Sequence, residues 1–442
     1  MVLKNRYIKD LSSPRFGMHY FPDSLHYTNQ DLATWLPRLK DLRARWLVLL
    51  SDASRAIPEQ FITTVIQSGI TPIVHIPLAL PNTPSADELK PILSAYSRWG
   101  VKYIILFDKP NESANWSGAG WVQQDLVERF IDRFLPLAAL VVHLGMIPLF
   151  PPLQPGGDYW DLTFLKQALI SMQRRGQLNL VKQMGIASYG YTFNHEIDWG
   201  SGGVEKWPKA LPYFTSENSE DQRGFYNHEW LKQVAKSAVN LDLPVVILGA
   251  GVREPANAYS PTVHAGVCQE ILERLSGTSE KGTIPDDVIC CNFHLLSADV
   301  GTPDAAHAWF RSPEDVLPIV DLIAPEIHRA ETATIVEASK EYQASDSVPQ
   351  VDPLPIEHYL LLPIYEWGVA EFHLEVIRPY VQKYHPTIGF SLQEAGLAKK
   401  VTILGGEQTF PEEDLAALRN RGCVVERVSV DGTSIATQLE ER

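Results

Sequence analysis

The sequence is short of cysteine, of positive charge and of long apolar runs, and each shortage closes off a class of protein. Its four cysteines, Cys268, Cys290, Cys291 and Cys423, stand at no metal-ligand or redox spacing, and two of them are adjacent inside an apolar run. Buried thiols are therefore expected rather than a disulfide framework or a zinc site. Lys and Arg number 38 against 53 Asp and Glu, a formal net charge of −15. A phosphate backbone rewards clustered cations, so nucleic acid is not an expected partner. No stretch approaches the roughly 18 apolar residues in a row that mark a membrane-spanning helix. The opening MVLKNRYIKDLSSPRFG lacks the apolar centre of a secretory signal, which makes the cytoplasm the default expectation. Glycine-rich pieces at 200–203 and 405–406 come without the Lys-Ser/Thr of a phosphate loop, and no His-x-x-x-His or paired acidic spacing appears. Neither a cofactor nor a metal is expected.

What is present is an ordinary globular composition, 45% hydrophobic and 21% charged over 442 residues, enough for one large domain and one small. Short apolar runs alternate with amphipathic stretches. Strands are expected at 16–21, 46–50, 72–76, 103–108, 146–150, within 178–189, at 244–248 and at 288–296. Helices are expected between them, as in 31–45, where Leu32, Trp35, Leu36, Leu39 and Leu42 recur at helical spacing. Eight such cycles in the first 329 residues match a (β/α)8 TIM barrel. A linker rich in Glu, Ser, Ala and Pro is expected over 330–357, and a small α/β domain with three strands over 358–442.

The run KYIILFDKPNESANW, 102–116, centres the reading. Its first residues suit a strand buried on both faces; Asp108, Lys109, Asn111 and Glu112 then crowd into the turn at the carboxyl end, where barrel sites are assembled. The following loops are rich in aromatic and acidic side chains. Trp116 and Trp121 come after the fourth strand, Asp158, Tyr159, Trp160 and Asp161 after the fifth, and Tyr189, Tyr191, His195, Glu196, Asp198 and Trp199 at the sixth and in the loop beyond it. Aromatic faces beside carboxylates suit the apolar faces and hydroxyl edges of a sugar ring. His19, His75 and His294, on strands one, three and eight, read as inward-facing polar core.

The barrel resembles the clan A glycoside hydrolases, whose fourth strand ends in Asn-Glu-Pro-Asn with a Trp shortly after and whose seventh ends in Thr-Glu-x-Gly. Asp108, Lys109, Pro110 and Asn111 fall on the first motif, Trp116 on its aromatic, Leu248, Gly249 and Gly251 on the second, and His294 where a Trp is common. The resemblance thus sets Lys109 at the acid/base position and Gly249 at the nucleophile position. Neither can do that chemistry, since hydrolysis with retention needs two carboxyl groups about 5 Å apart. Restoring it would take at least Lys109→Glu together with Gly249→Glu. The segment 401–441 resembles one half of a type 2 cell-wall-binding repeat, carried by Val401, Ile403, Gly405, Gly406, Val425, Arg427, Ile435 and Ala436; the resemblance allows a cell-surface location.

Three functions follow. The first is a glycan-recognising protein on a glycosidase-like barrel with its standard carboxylates replaced, binding a carbohydrate or polysaccharide through Lys109, Asn111, Trp116, Asp158, Tyr159, Trp160, Tyr189, Tyr191, Glu196, Asp198, Trp199 and His294. The second is an active O-glycoside hydrolase using relocated carboxylates, Glu112 and Glu254, with Asp108 as a further candidate. The third is a structural or partner-binding role, with self-association through the C-terminal domain.

Overall fold

Eight short strands carry apolar side chains on both faces, and in the computed structural model they close into a parallel barrel in strict chain order. The structure describes residues 14–253, 260–313, 315–324, 354, 356–363, 371–407 and 409–428. The chain divides into two units, residues 1–336 and 337–442.

In the first unit, β1 (Phe16–His19), β2 (Trp46–Leu50), β3 (Thr71–Ile76), β4 (Tyr103–Leu106), β5 (Ile147–Phe150), β6 (Gly185–Tyr191), β7 (Val245–Gly251) and β8 (Val288–Phe293) are joined by helices. These are α1 (Asn29–Asp41), α2 (Glu59–Gln67), α3 (Ala86–Arg98), the short α4 (Gly118–Trp121), α5 (Leu126–His143), α6 (Asp161–Arg174), the short α7 (Leu178–Val181) and α8 (Gly203–Lys206), α9 (Asn227–Val239), α10 (Pro261–Ser276) and α11 (Pro318–Ile323). Two helices start where the sequence supplies reciprocal caps: Thr28 with Asp31 opens α1 and Ser85 with Glu88 opens α3.

Alternation along each strand separates two apolar sets. Val48, Ile73, Ile105, Leu149, Ala187, Val246, Leu248 and Cys290 pack together as one cluster inside the barrel. Their neighbours Leu47, Leu49, Val74, Ile104, Ile186, Val245, Ile247 and Cys291 belong to the larger cluster beneath the helices. Each fully buried aliphatic side chain contributes about 1.5–3 kcal/mol. The adjacent thiols of Cys290 and Cys291 thus serve opposite faces, and all four cysteines are free and buried.

The strand expected within 178–189 begins at Gly185 and runs to Tyr191, after a helical turn that the sequence reading did not separate. Gly176, in a left-handed conformation, ends α6; α7 follows, and pairing begins only at Gly185, where a Cβ would come 2.7 Å from Leu149 Cδ2. Among the described residues no helix is long and apolar enough to cross a membrane.

The second unit is a four-stranded parallel sheet of β9 (Ile356–Leu361), β10 (Thr387–Gly389), β11 (Ala398–Leu404) and β12 (Val424–Val428) in the order β10-β9-β11-β12. Its helices are α12 (Glu371–Tyr384), the short α13 (Leu392–Ala395) and α14 (Glu412–Asn420). The sequence led us to expect three strands; β10 was missed because three residues carry no periodic signal, and its strand character comes from pairing with Tyr359–Leu361. The 330–357 stretch lies largely outside the described residues, as do Ile435 and Ala436 of the repeat-like pattern.

The barrel closes where β1 meets β8, Gly17 standing opposite Asn292 and beside Trp46. A Cβ on Gly17 would clash with the Asn292 amide and lie 2.6 Å from Trp46 Cβ. Gly17→Ala is expected to destabilise the barrel by roughly 1–3 kcal/mol, read as a lower denaturant midpoint; an unchanged midpoint would show that the seam yields freely.

Candidate functional site

β4 ends at Leu106, two residues before the sequence suggested, because the backbone turns sharply there. Phe107 (φ 72°) and Lys109 (φ 42°) both adopt left-handed conformations, a strain of about 1–3 kcal/mol each for residues with a side chain. Several hydrogen bonds hold the turn. The Phe107 amide donates to Ile76 O and the Lys109 amide to Pro152 O, both at 2.9 Å. The Asn115 amide donates to the carbonyls of Asp108 and Lys109 at 3.2 and 2.9 Å. His75 Nε2 donates to Phe107 O at 2.9 Å, which fixes that ring's tautomer.

The turn brings Asp108 and Lys109 to β6. The Tyr189 hydroxyl donates to Asp108 Oδ1 at 2.7 Å; Lys109 Nζ lies 3.8 Å from Asp108 Oδ2 and 5.0 Å from the Tyr189 ring centre. Tyr189 and Tyr191, two apart on one strand and so on one face, stack with centroids 5.4 Å apart. A register shift between Ser188 and Tyr189 sets Tyr189 opposite Gly249. Beyond the stack, Arg253 Nη1 donates to the Tyr191 hydroxyl at 3.0 Å and Nη2 lies 3.7 Å from Asp304 Oδ1. His294 Nε2 donates to that same oxygen at 3.3 Å, and the His294 ring meets His19 edge-on at 5.6 Å. The barrel mouth is thus lined by a chain of partners drawn from β1, β6 and the loops after β4, β7 and β8.

Burial governs the protonation of this chain. It holds His294 down to about 4, against the pull of Asp304, and keeps His19 well below its usual range. The neutral His294 then donates to an ionised Asp304, whose pKa that hydrogen bond lowers to about 2. Burial pushes Tyr191 up to about 12 and Tyr189 well above its ordinary value. The ionised Asp304 thus faces Arg253, and Lys109 lies beside Asp108.

Gly249 is buried, and a Cβ there would lie 2.5 Å from the Tyr191 hydroxyl. The Tyr191 ring fills the space that any side chain at 249 would need, so the Gly249→Glu change considered from the sequence does not fit this mouth.

The other expected residues form two separate groups. Asn111 is wholly buried; its amide donates to Gln154 O and Tyr159 O, and its oxygen accepts from the Gln154 amide. It rivets the β4 and β5 loops and has no group left for a ligand. Trp116 is buried, with its indole N–H on Pro110 O and Arg129 over its ring, so it too is loop structure. Asp158 accepts from the Ser113 amide and hydroxyl, while Glu112 accepts from the Asp158 amide at 3.3 Å and has its pKa raised by burial. Trp160 is buried, its ring packed against Tyr213 at 5.2 Å, and the Tyr159 hydroxyl donates to Gln167. In the excursion after β6, Glu196 is exposed and Trp199 stacks on His195 at 4.0 Å. Asp198 is held by Arg274 of α10 at 2.5 and 3.1 Å, which takes its carboxylate out of the mouth. Glu254 lies outside the described residues.

Arg253 and Asp304 escaped the sequence reading. Arg253 was within sight, two residues beyond β7 in the loop searched for carboxylates. Asp304 sits among small residues far past β8 and carries no local signal. Among the described residues, one group brings metal-ligating atoms within 4.8 Å of one another, Asp23, His26 and Asp299. Both His26 ring nitrogens there already face carboxylates, at 2.9 and 3.2 Å.

No family model and no curated protein matches the sequence. Among solved structures the chain is similar to a monomeric beta-xylosidase from Caulobacter crescentus CB15, at 10% identity and a TM-score of 0.43 over 64% of this chain and 60% of that one. It is also similar to an endo-beta-1,3-glucanase from Sorangium cellulosum, at 11% identity and a TM-score of 0.42 over 70% and 97%. A third is xylanase 10B from Thermotoga maritima, at 12% and 0.41 over 72% and 98%. The match spans three-fifths of the Caulobacter enzyme's length.

The buried His294 yields a pH test. A group whose folded pKa is depressed contributes stability that is complete above its unfolded value and lost as pH falls through the folded one. For His294 that window runs from about 6.5 in the unfolded chain down to about 4. His294→Gln is expected to flatten the fall of unfolding free energy across this window by up to about 1.4 kcal/mol per pH unit. Taking the difference from the unaltered protein isolates His294 from Asp161, whose pKa burial raises to about 6 and which acts in the opposite sense. Denaturant unfolding at pH 4.5 and 7 measures it; equal slopes would mean that His294 already accepts a proton in the fold.

Proposed function

We propose that this chain recognises carbohydrate at the mouth of its barrel and does not hydrolyse it with the carboxylate pair usual for glycosidases. The observation that carries the reading is Gly249 beneath the Tyr191 hydroxyl. The place where the resemblance would put a nucleophile has no room for a side chain and is occupied by a tyrosine bonded to Arg253. A second argument is protonation. A general acid must hold its proton near neutral pH, and Asp304, at about 2, does not, while Asp108 already accepts from Tyr189 and faces Lys109. What remains suits binding: a tyrosine pair stacked at 15°, flanked by Lys109 and Arg253, with Asp108 and Asp304 as acceptors. The hydroxyls of a pyranose would exchange hydrogen bonds with these charged groups, with the partly exposed Tyr189 as its apolar contact and the buried Tyr191 behind it.

A second reading, hydrolysis through Glu112, is favoured by one observation: burial raises the pKa of that carboxyl, as proton donation requires. The same experiment separates the two. The purified protein is incubated with neutral oligosaccharides and nitrophenyl glycosides, with binding followed by calorimetry and release by absorbance. Binding without turnover, weakened at least about tenfold by Tyr189→Ala, is the expected result. Turnover abolished by Glu112→Gln would replace this reading with the second.

A further inference from the structure

We propose a second saccharide-binding site outside the barrel mouth, in a groove of about 590 Å³ lined by the start of α5, the face of α6 and the loops before them. The volume lies within the range of small-ligand pockets, roughly 300–1,000 Å³. None of the groups that form the Lys109 to His294 chain lines it. The site shares the ligand class proposed for the mouth but rests on its own residues.

Two aromatic side chains, Trp121 and Tyr159, pack against the core while also lining the groove. Around them stand hydrogen-bonding groups that the fold leaves unused. Among the described residues the Trp121 indole N–H, the Gln123 amide and the Asp125 carboxylate make no side-chain hydrogen bond. Gln167 uses only its oxygen, accepting from the Tyr159 hydroxyl at 2.8 Å. Asp125 is the most telling. It stands immediately before α5, a helix of 18 residues, where an Asp would ordinarily bond to the first amides. Instead its backbone is left-handed (φ 60°) and its side chain caps nothing. The carboxylate is an acceptor at the groove rather than a cap.

The ionic groups nearby cancel one another. Glu128 accepts from Ser171 at 2.7 Å, from Arg174 at 2.6 Å and from Arg175 at 2.5 Å. The groove therefore presents no unpaired cation to an anionic ligand and sets Asp125 against one. Aromatic faces, unpaired amide and indole donors and one free carboxylate match the CH face and adjacent hydroxyls of a neutral sugar. An extended peptide lying in the groove would need backbone partners in register, which one side-chain amide on a loop and one on a helix do not provide.

The test uses the whole protein with hexasaccharides of β-1,4-glucan, β-1,4-xylan and β-1,3-glucan as probes and hydrogen–deuterium exchange as the readout. Ligand is expected to slow exchange over 118–128 and 159–170. Trp121→Ala should weaken that protection about tenfold in ligand concentration, with exchange followed well below the variant's own melting temperature because the ring also packs on the core. Trp121→Phe, which keeps a ring and removes the N–H, serves where the alanine variant does not fold and should fall between the two. Protection confined to the mouth segments 107–112 and 189–193 overturns the second site and leaves the mouth reading standing. Protection confined to the groove supports the second site against the mouth. Protection nowhere, or protection of the groove that Trp121→Ala and Trp121→Phe leave untouched, overturns this proposal.

Discussion

The constraint on which the rest of the first unit depends is that its eight strands are buried on both faces. Such strands offer few places for a polar side chain, because an unpaired polar group in an apolar interior costs about 1–3 kcal/mol. Polar groups are therefore pushed to the strand ends, and there each must find a partner. The line from Lys109 through Asp108, Tyr189, Tyr191, Arg253 and Asp304 to His294 is what that pressure produces. Every member offers its neighbour a complementary charge, hydrogen bond or ring face. The backbone strain at Phe107 and Lys109 is the local cost of turning the first two into line.

The same pressure explains why this mouth differs chemically from a paired-carboxylate site. Two nearby carboxyl groups that divide one proton need surroundings that push their pKa values apart. Here Asp108 and Asp304 each have a cation and a hydrogen-bond donor of their own, and the His294 hydrogen bond keeps Asp304 an anion. Tyr191 seals the arrangement by lying over Gly249.

The long loops behave differently from the mouth they surround. Many of their aromatic and acidic residues are spent on holding the loops together: Asn111 between two loops, Trp116 under Arg129 and Arg133, Asp221 receiving Trp199, Thr215 and Arg223. A loop of such length has many backbone groups to satisfy and few regular partners. Polar richness in these loops is thus first a matter of satisfaction. Asp125, by contrast, makes no side-chain cap bond at the start of α5.

The alternation of apolar runs and amphipathic stretches was enough to read the barrel and its strand order from the chain, because each strand and helix is stabilised by side chains near it in sequence. The turn at Asp108 and Lys109 was legible for the same reason, whereas Tyr191, expected in the loop beyond the sixth strand, shares a face of β6 with Tyr189. Local pattern could not reveal β10, a strand only by virtue of its neighbour, nor distinguish Asn111 from a ligand-facing residue. It could not join Arg253 to Tyr191 and Asp304, which meet only when β6, β7 and β8 lie side by side. Sequence by itself determined where polar groups gather, since hydrophobic periodicity is local. Tertiary structure decided which of them are already satisfied, since a hydrogen bond depends on distance in space, and residues far apart in the chain become neighbours only when the barrel closes.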